Sequence, residues 1–247
     1  MNKIINIFKR LGFEKINGID KSNLSNYDSD IVSESYSNKF YLKDKEDLFF
    51  LNKSKNLKIL DIGCGGGRTT FSLYNLGFNN IIAGDYSNRM IEKAKNNSLE
   101  LKIEENLFYV IDATNLETFK DDIFDIVFFS YNGIDYIPSI EYRLKAFKEI
   151  NRVLKKGGSF FYSFHNTYWF SVYRLINLIR TFINGYLFSG YEIEKNEGGF
   201  LFTKYSSFFK EKKYLNNIGF ELNNFGKYNS KKDFILNYML YIEAFKK

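Results

Sequence analysis

Apolar and polar positions change rhythm repeatedly along this chain. From Leu57 onward, short and nearly continuous apolar runs alternate with segments whose apolar residues recur every three or four positions. The runs predict strands at 57–62, 80–85, 107–111, 124–130 and 158–164. Ile123-Phe124-Asp125-Ile126-Val127-Phe128-Phe129 has the form of a parallel strand covered on both faces, where polar alternation is lost. The slower rhythm predicts helices near 67–77, 88–98 and 139–155. The last is the best signalled. Ser139, after Pro138, is its N-cap, Glu141 sits in its first turn, and Ile140, Leu144, Phe147 and Leu154 share one face. Lys155 and Lys156 complement its C-terminal dipole, and Gly157 is expected to end it. Strand and helix alternating in this way argue for a doubly wound α/β sheet.

The flanks depart from that rhythm. Residues 1–33 are polar, weakly patterned and rich in Asn, Ser and Lys, and read as a mobile arm or lid. Tyr36, Phe40, Leu48 and Phe49 predict a helix within 34–52 that packs on the core. Residues 1–52 are therefore expected to form an arm and lid helix, and 53–247 the main domain. The alternation breaks again at 166–200. Tyr168 to Ile183 is apolar almost all round, with a narrow polar stripe at Ser171, Arg174, Asn177 and Thr181. The glycine-bearing stretch Gly185 to Gly199 follows, and the whole is expected to be a cap inserted after the fifth strand. Ser206 or Ser207 then caps a helix ending at Gly219, and strands at 220–226 and 236–245 close the chain as a hairpin. The expected fold is α/β: a doubly wound, mostly parallel seven-stranded sheet with an antiparallel C-terminal strand and a small inserted cap.

Composition narrows the classes. The 247 residues are 45% hydrophobic and 26% charged, ordinary for a globular chain with room for one large domain and an insertion. Aromatics reach 19%, beside abundant Asn, Lys and Ile, a combination that fits AT-rich coding better than a functional aromatic stripe. A net charge of +6 and a pI near 9.0 permit nucleic acid, an anionic membrane or a phosphorylated substrate as partner. The lysines are spread along the chain, with the densest runs at Lys210 to Lys213 and Lys227 to Lys232. Cys64 is the sole cysteine, which excludes an intrachain disulfide and a Cys-based zinc site, and no metal is expected. Ile4, Ile5, Ile7, Phe8 and Leu11 are interrupted by Lys9 and Arg10, too short a run for a secretory segment. No apolar run approaches the roughly 18–20 residues of a membrane span. A soluble cytoplasmic protein is expected, and no pattern specifies an oligomeric state.

Candidate chemistry concentrates at Ile59-Leu60-Asp61-Ile62-Gly63-Cys64-Gly65-Gly66-Gly67-Arg68-Thr69-Thr70. A strand end runs into a glycine turn and then a helix start, whose free amides point at a ligand. A dinucleotide fingerprint beginning at Gly63 needs glycine where Arg68 stands, and a P-loop needs a lysine that is missing. The remaining pattern, acid-x-Gly-x-Gly-x-Gly, resembles the first motif of class I S-adenosylmethionine (SAM)-dependent methyltransferases. The resemblance extends over most of residues 55–247. Gly84-Asp85-Tyr86-Ser87-Asn88-Arg89-Met90 looks like the end of that family's second strand, and Ile111-Asp112-Ala113 like the turn after its third. Phe124-Asp125-Ile126-Val127 resembles the fourth strand, and Glu149-Ile150-Asn151-Arg152-Val153-Leu154-Lys155-Lys156-Gly157-Gly158 the junction before the fifth.

The resemblance implies a Rossmann-like fold and SAM as cofactor. It implies cofactor contacts from Asp61, Gly63, Cys64, Gly65, Gly67, Asp85, Tyr86, Met90, Asp112, Ala113 and Ser130. Asp85 follows Asp61 at close to the roughly 20-residue offset of a ribose-binding acid, against the alternative of a helix N-cap. Asp61 either reaches the ligand's amino group or caps the loop. Asp112 either accepts from the adenine amino group, with Ala113 offering its amide, or is a plain turn aspartate. Met90 lies against the adenine or simply packs, and Cys64 is a small loop filler rather than a nucleophile. Tyr27 and Tyr36 are either a lid over the cofactor or surface tyrosines.

The Pro-Cys loop of cytosine-C5 enzymes and the Asn/Asp-Pro-Pro-Tyr signature of exocyclic-amine base methylation are absent. In their place, Ser130-Tyr131-Asn132-Gly133-Ile134-Asp135-Tyr136 follows the fourth strand and should face the transferred methyl, with Tyr131 and Asn132 as candidates there. His165, the only histidine, follows the fifth strand on the ligand side of such a sheet. It is either a general base or a hydrogen-bonded histidine that closes the strand. The implied activity is methyl transfer to an O or N atom of a small molecule of sugar, amine or lipid/quinone-precursor type. RNA methylation is the alternative suggested by the pI, against scattered basic residues and no appended RNA-binding module. A non-catalytic SAM-fold subunit is disfavoured by the intact loop glycines and Asp85. The 168–183 segment, with Arg174 and Arg180, is either an interfacial membrane helix or, more simply, a cap helix buried on the domain.

Overall fold

A computed structural model describes residues 19–37, 40–103, 107–223 and 225–247. The N-terminal apolar positions discussed above, and the arm as far as residue 18, lie outside the described residues. The strands are β1 (Ile59–Ile62), β2 (Ile81–Asp85), β3 (Phe108–Val110), β4 (Phe124–Phe129), β5 (Leu154–Asn166), β6 (Tyr191–Asn196), β7 (Gly199–Ser206), β8 (Phe220–Asn223) and β9 (Met239–Lys246). The helices are α1 (Ile19–Tyr27), α2 (Asp30–Ser37), α3 (Asp44–Phe50), α4 (Arg68–Asn75), α5 (Asn88–Glu100), α6 (Ile140–Val153), α7 (Val172–Ile183), α8 (Phe208–Ile218), α9 (Phe225–Tyr228) and α10 (Asp233–Leu236).

Strands β3-β2-β1-β4-β5 pair in parallel in that order, so the order reverses between β1 and β4. Ligands bind at such a switch, beyond the carboxyl ends of the strands. β9 runs antiparallel along β5, with Ser159 opposite Phe245 and His165 opposite Met239, and β8 pairs antiparallel outside it. These seven strands make the expected mixed sheet. Alternate residues of each strand serve opposite faces. Val127, Phe129, Phe160 and Tyr162 meet Phe147, Ile150 and Leu215 of α6 and α8. Ile126, Phe128 and Phe161 meet Phe49 and Phe50 of α3 on the other face, where Phe49 stacks on Phe161 at 4.4 Å between ring centres. Both faces are covered, which is why the strand sequences lack polar alternation.

Several boundaries differ from expectation. The 139–155 helix stops at Val153, because Leu154 turns extended and opens β5. Lys155 therefore pairs with Asp125 at 2.7 Å instead of facing a helix dipole. Gly157 lies within the strand at φ +72°, where the pairing with β4 slips between Phe124 and Ile126. The single helix expected over 34–52 is two, since α2 ends at Ser37 and α3 starts at Asp44, where Glu46 accepts the Lys43 amide at 2.9 Å. The glycine-bearing part of the cap is the antiparallel hairpin β6–β7, which reaches Ser206 and joins the end of β5 in parallel at His165–Tyr205 and Asn166–Ser206. α9 and α10 separate β8 from β9, so the closing pair is not a tight hairpin.

α7 reverses the expected burial. Its polar stripe, Arg174, Asn177, Arg180 and Thr181, is buried, while Val172 and Phe182 are 74% and 66% exposed. Arg174 is gripped by Glu192 of β6 at 2.6 Å and by the carbonyls of Thr167 and Trp169. The Arg180 guanidinium donates to Asn177 Oδ1 and to the Ile193 carbonyl. The arginines anchor the helix to the hairpin and leave its apolar side chains facing outward. Among the described residues no helix is long and apolar enough to cross a membrane.

Candidate active site

The loop between β1 and α4 is shaped by its glycines. Gly63 adopts φ +68°, and a Cβ there would lie 2.8 Å from the Phe129 ring. Gly67, at φ +94°, begins α4 with no room for a side chain against Phe71. Asp61 is fully buried beneath the loop, where Oδ2 accepts from the hydroxyls of Thr69 at 2.5 Å and Thr70 at 2.7 Å. Its Oδ1 is buried without a hydrogen-bond partner among the described residues. Burial pushes the Asp61 carboxyl up to about 6, against the lowering effect of the two threonine hydroxyls.

The loop overlooks a cavity of about 400 Å³. Its wall includes Gly63, Cys64, Gly65, Asp85, Tyr86, Met90, Asp112, Ala113, Ser130 and Tyr131, all expected from the sequence. Asp61 and Gly67 stand behind this wall and shape it. Asp85 closes the end of β2, its Oδ2 accepting the Gly65 amide and its Oδ1 the Ser87 amide, both at 2.9 Å. Burial raises its pKa while these amides pull it down. The N-cap of α5 is Ser87, whose hydroxyl accepts from the Met90 amide, not Asp85. Asp112 Oδ1 accepts the Thr114 amide at 2.8 Å, so it closes its own turn and still borders the cavity. Burial raises the Cys64 thiol well above its usual range, which leaves it a neutral filler.

The other side of the cavity comes from α1 and α2. Asn23, Leu24, Tyr27 and Tyr36 line it, so these tyrosines are wall residues rather than surface ones. Asn23 fixes α1 in place, its amide nitrogen donating to the Tyr136 and Phe202 carbonyls and its oxygen accepting the Phe202 amide. Aromatic side chains form a circuit around this end of the sheet. Tyr27 is 5.5 Å from Tyr136 and 6.4 Å from Tyr36, and Tyr36 is 6.3 Å from Tyr131. Tyr136 is 5.9 Å and Tyr238 6.0 Å from His165. Burial and the Tyr131 hydroxyl together push the Tyr238 phenol up to about 12.

His165 and Asn132 lie behind this circuit, outside the wall. His165 is 5% exposed, with Nδ1 2.9 Å from Asp135 Oδ2 and Nε2 3.1 Å from the Asn132 amide nitrogen. Asp135 also accepts the His165 backbone amide, which marks Nδ1 as the protonated nitrogen and Nε2 as the acceptor from Asn132. Both ring nitrogens are thus engaged. Asp135 in turn binds Arg143 at 2.6 Å, and Arg143 binds Glu211 at 2.9 Å, with every member buried. Burial alone would depress Arg143, but the two carboxylates outweigh it and hold its pKa up. Tyr131 and Asn132 adopt φ of +52° and +62°, a left-handed pair costing roughly 1–3 kcal/mol each that the surrounding bonds must hold.

Several residues around the site carry little signal in the sequence. Glu46 and Arg68 form a two-pronged ion pair, at 3.0 and 3.1 Å, that joins α3 to the glycine loop, and Arg68 donates onward to Ser130 Oγ at 2.6 Å. Glu46 carried no signal beyond its place in an acidic first turn. Glu194 of β6, which accepts the Tyr205 hydroxyl, and Tyr238, just before β9, are hidden in the sequence by the abundance of tyrosine and by a hairpin that its pattern does not mark.

Residues 53–182 match the model of a family described as a methyltransferase domain. The ubiquinone/menaquinone biosynthesis C-methyltransferase UbiE of Rickettsia rickettsii is 28% identical over 160 residues, 62% of this chain and 63% of that protein. The chain thus spans just under two thirds of that relative's length. Among solved structures, the PH0226 protein of Pyrococcus horikoshii is 24% identical with a TM-score of 0.62, over 82% of this chain and 87% of that one. A SAM-dependent methyltransferase of Methanosarcina mazei is 20% identical with a TM-score of 0.65, over 83% and 98%. These two share the fold. The family match runs from the approach to β1 through almost all of α7, more than half of the sequence, and the chain belongs to this methyltransferase-domain family.

Proposed function

We propose that this protein is a SAM-dependent methyltransferase acting on a small molecule. The observation that carries the reading is Asp85. Its two oxygens are anchored by the Gly65 and Ser87 amides at the cavity lip, which leaves further lone pairs for a pair of ribose hydroxyls. The residues present fit the cofactor. Gly63 and Gly65 leave room along the loop, Met90 and Ala113 offer an apolar slot beside Asp112, and Asp61 braces the loop through Thr69 and Thr70. SAM would supply an activated sulfonium methyl group. The chain's part is to orient the acceptor and exclude water, which α1 and α2 do by covering the cavity. On this reading residues 1–52 act as arm and lid to a 53–247 catalytic domain. On the same reading Tyr131, a wall residue, would face the transferred methyl, with Asn132 and His165 behind the wall as positioning residues.

The test is calorimetry with S-adenosylhomocysteine. Saturable binding is expected, and Asp85→Ala should weaken it by roughly 1.5–3 kcal/mol, the value of hydrogen bonds to a charged group. Tight NADH binding with no response to S-adenosylhomocysteine would overturn the assignment.

A further inference from the structure

The cavity wall opposite the glycine loop is made largely of phenol rings. Arg68, which also borders the cavity, is neutralised by its two-pronged pair with Glu46. Behind the rings, besides Asp135 and Glu192, which Arg143 and Arg174 hold, stands a further carboxylate. Tyr27, Tyr36, Tyr131 and Tyr136 line the cavity, and Tyr238 and Tyr205 stand next to His165 behind it. The carboxylate is Glu194 of β6, whose Oε1 accepts the Tyr205 hydroxyl at 2.8 Å. Glu194 is close enough to raise the phenol pKa of Tyr27, Tyr36, Tyr136, Tyr205 and Tyr238. Tyr27 feels Asp85 as well, so it stands between the cofactor acid and this second acid. Arg180, a cation near enough to feel Glu194, is anchored on Asn177 and the Ile193 carbonyl.

Rings around a cavity with a carboxylate near them favour a positive charge inside it. The faces of tyrosine rings attract cations, most strongly where water is excluded. A hydroxyl acceptor would need a base; the one imidazole of the chain has both nitrogens engaged, and the wall carboxylates Asp85 and Asp112 are taken up by backbone amides and, on this reading, by the cofactor. Resting on the methyltransferase reading above, we propose that the acceptor is an aliphatic amine, held in a box of Tyr27, Tyr36 and Tyr136 with Glu194 as counter-charge, the Tyr131 ring already having Lys43 and Arg68 over it. The amine loses its proton to bulk water before it enters and binds as the free base. The nitrogen lone pair forms the N–CH₃ bond, the methyl–sulfur bond breaks, and its electron pair stays on sulfur. Positive charge thereby moves from sulfur to nitrogen. A box that favours cations steadies the charge as it develops on nitrogen, where stabilisation lowers the barrier.

Two probes of the same shape isolate the charge: choline, and its neutral carbon isostere 3,3-dimethyl-1-butanol. Each is titrated by tyrosine fluorescence or NMR into protein saturated with S-adenosylhomocysteine. Choline should bind at least tenfold more tightly than the alcohol. Glu194→Gln should remove at least fivefold of that preference and leave S-adenosylhomocysteine affinity unchanged. Tyr36→Leu should weaken choline severalfold and Tyr36→Phe should not, since the ring rather than the hydroxyl attracts the cation. Equal binding of the two probes, or a preference unaltered in Glu194→Gln, overturns the amine proposal while S-adenosylhomocysteine binding leaves the methyltransferase reading standing. Failure of S-adenosylhomocysteine to bind overturns both.

Discussion

Replacing Asp61 by asparagine should change how stability depends on pH. The carboxyl is fully buried and its pKa rises from 3.8 to about 6 on folding, because burial outweighs the hydroxyls of Thr69 and Thr70. A shift of about two units corresponds to about 3 kcal/mol, at about 1.4 kcal/mol per unit. The folded chain therefore holds the Asp61 proton more tightly than the unfolded one. Between about pH 4 and pH 6 it binds more protons, so this group's contribution to stability falls as pH rises. Below the unfolded pKa both states are protonated and no cost is felt; above about 6 both are ionised and the full cost is present. Asparagine keeps an acceptor for a threonine hydroxyl and never ionises. Urea unfolding of both proteins at pH 4 and pH 7.5, without added ligand, isolates the difference, since other titrating groups cancel. The Asp61→Asn variant should gain on wild type by about 2.5 kcal/mol between those pH values, slightly under the full shift because pH 4 already lies just above the unfolded pKa. A gap that is equal at the two values, or that moves the other way, would refute the burial argument.

Arg143→Met strands Asp135 and Glu211 as buried unpaired carboxylates and should destabilise the fold by about 3–5 kcal/mol, read from urea midpoints. Gly63→Ala must fit a Cβ against Phe129 at a left-handed φ, so S-adenosylhomocysteine affinity should fall at least tenfold by calorimetry. An unchanged affinity would mean that the loop yields easily. His165→Asn should lose stability but keep kcat within about tenfold, as both ring nitrogens serve Asp135 and Asn132. A loss of about 10²–10⁴-fold with an acid-side decline in rate would make His165 the general base instead.

The glycine loop, Asp85 and the five parallel strands were legible in the sequence because each rests on local physics. Positive φ demands glycine, and two-sided burial demands unbroken apolar runs. The acceptor side was not legible for the opposite reason. Tyr27 and Tyr36 precede β1, Tyr136 follows β4, and Glu194 and Tyr238 belong to the cap and to β9's approach, so only the folded sheet end assembles them. His165 was placed correctly at the end of its strand, but its partners Asp135 and Asn132 arrive from another loop and settle what its nitrogens can do. The Arg143 pairs were equally invisible: the spacing puts Arg143 on the face of Phe147 and Ile150, but its partners Asp135 and Glu211 come from other elements.

α7, with its arginines inward and its aliphatic and aromatic side chains outward, inverts the meaning of a substitution table. Leucine for Arg174 looks like a gain in hydrophobicity. It would strip Glu192 of its partner and two carbonyls of their donor, which makes it a core lesion. Serine for Phe182, drastic on paper, alters a side chain that already meets solvent. Along these twelve residues, tolerance to mutation should follow loss of charge rather than loss of grease.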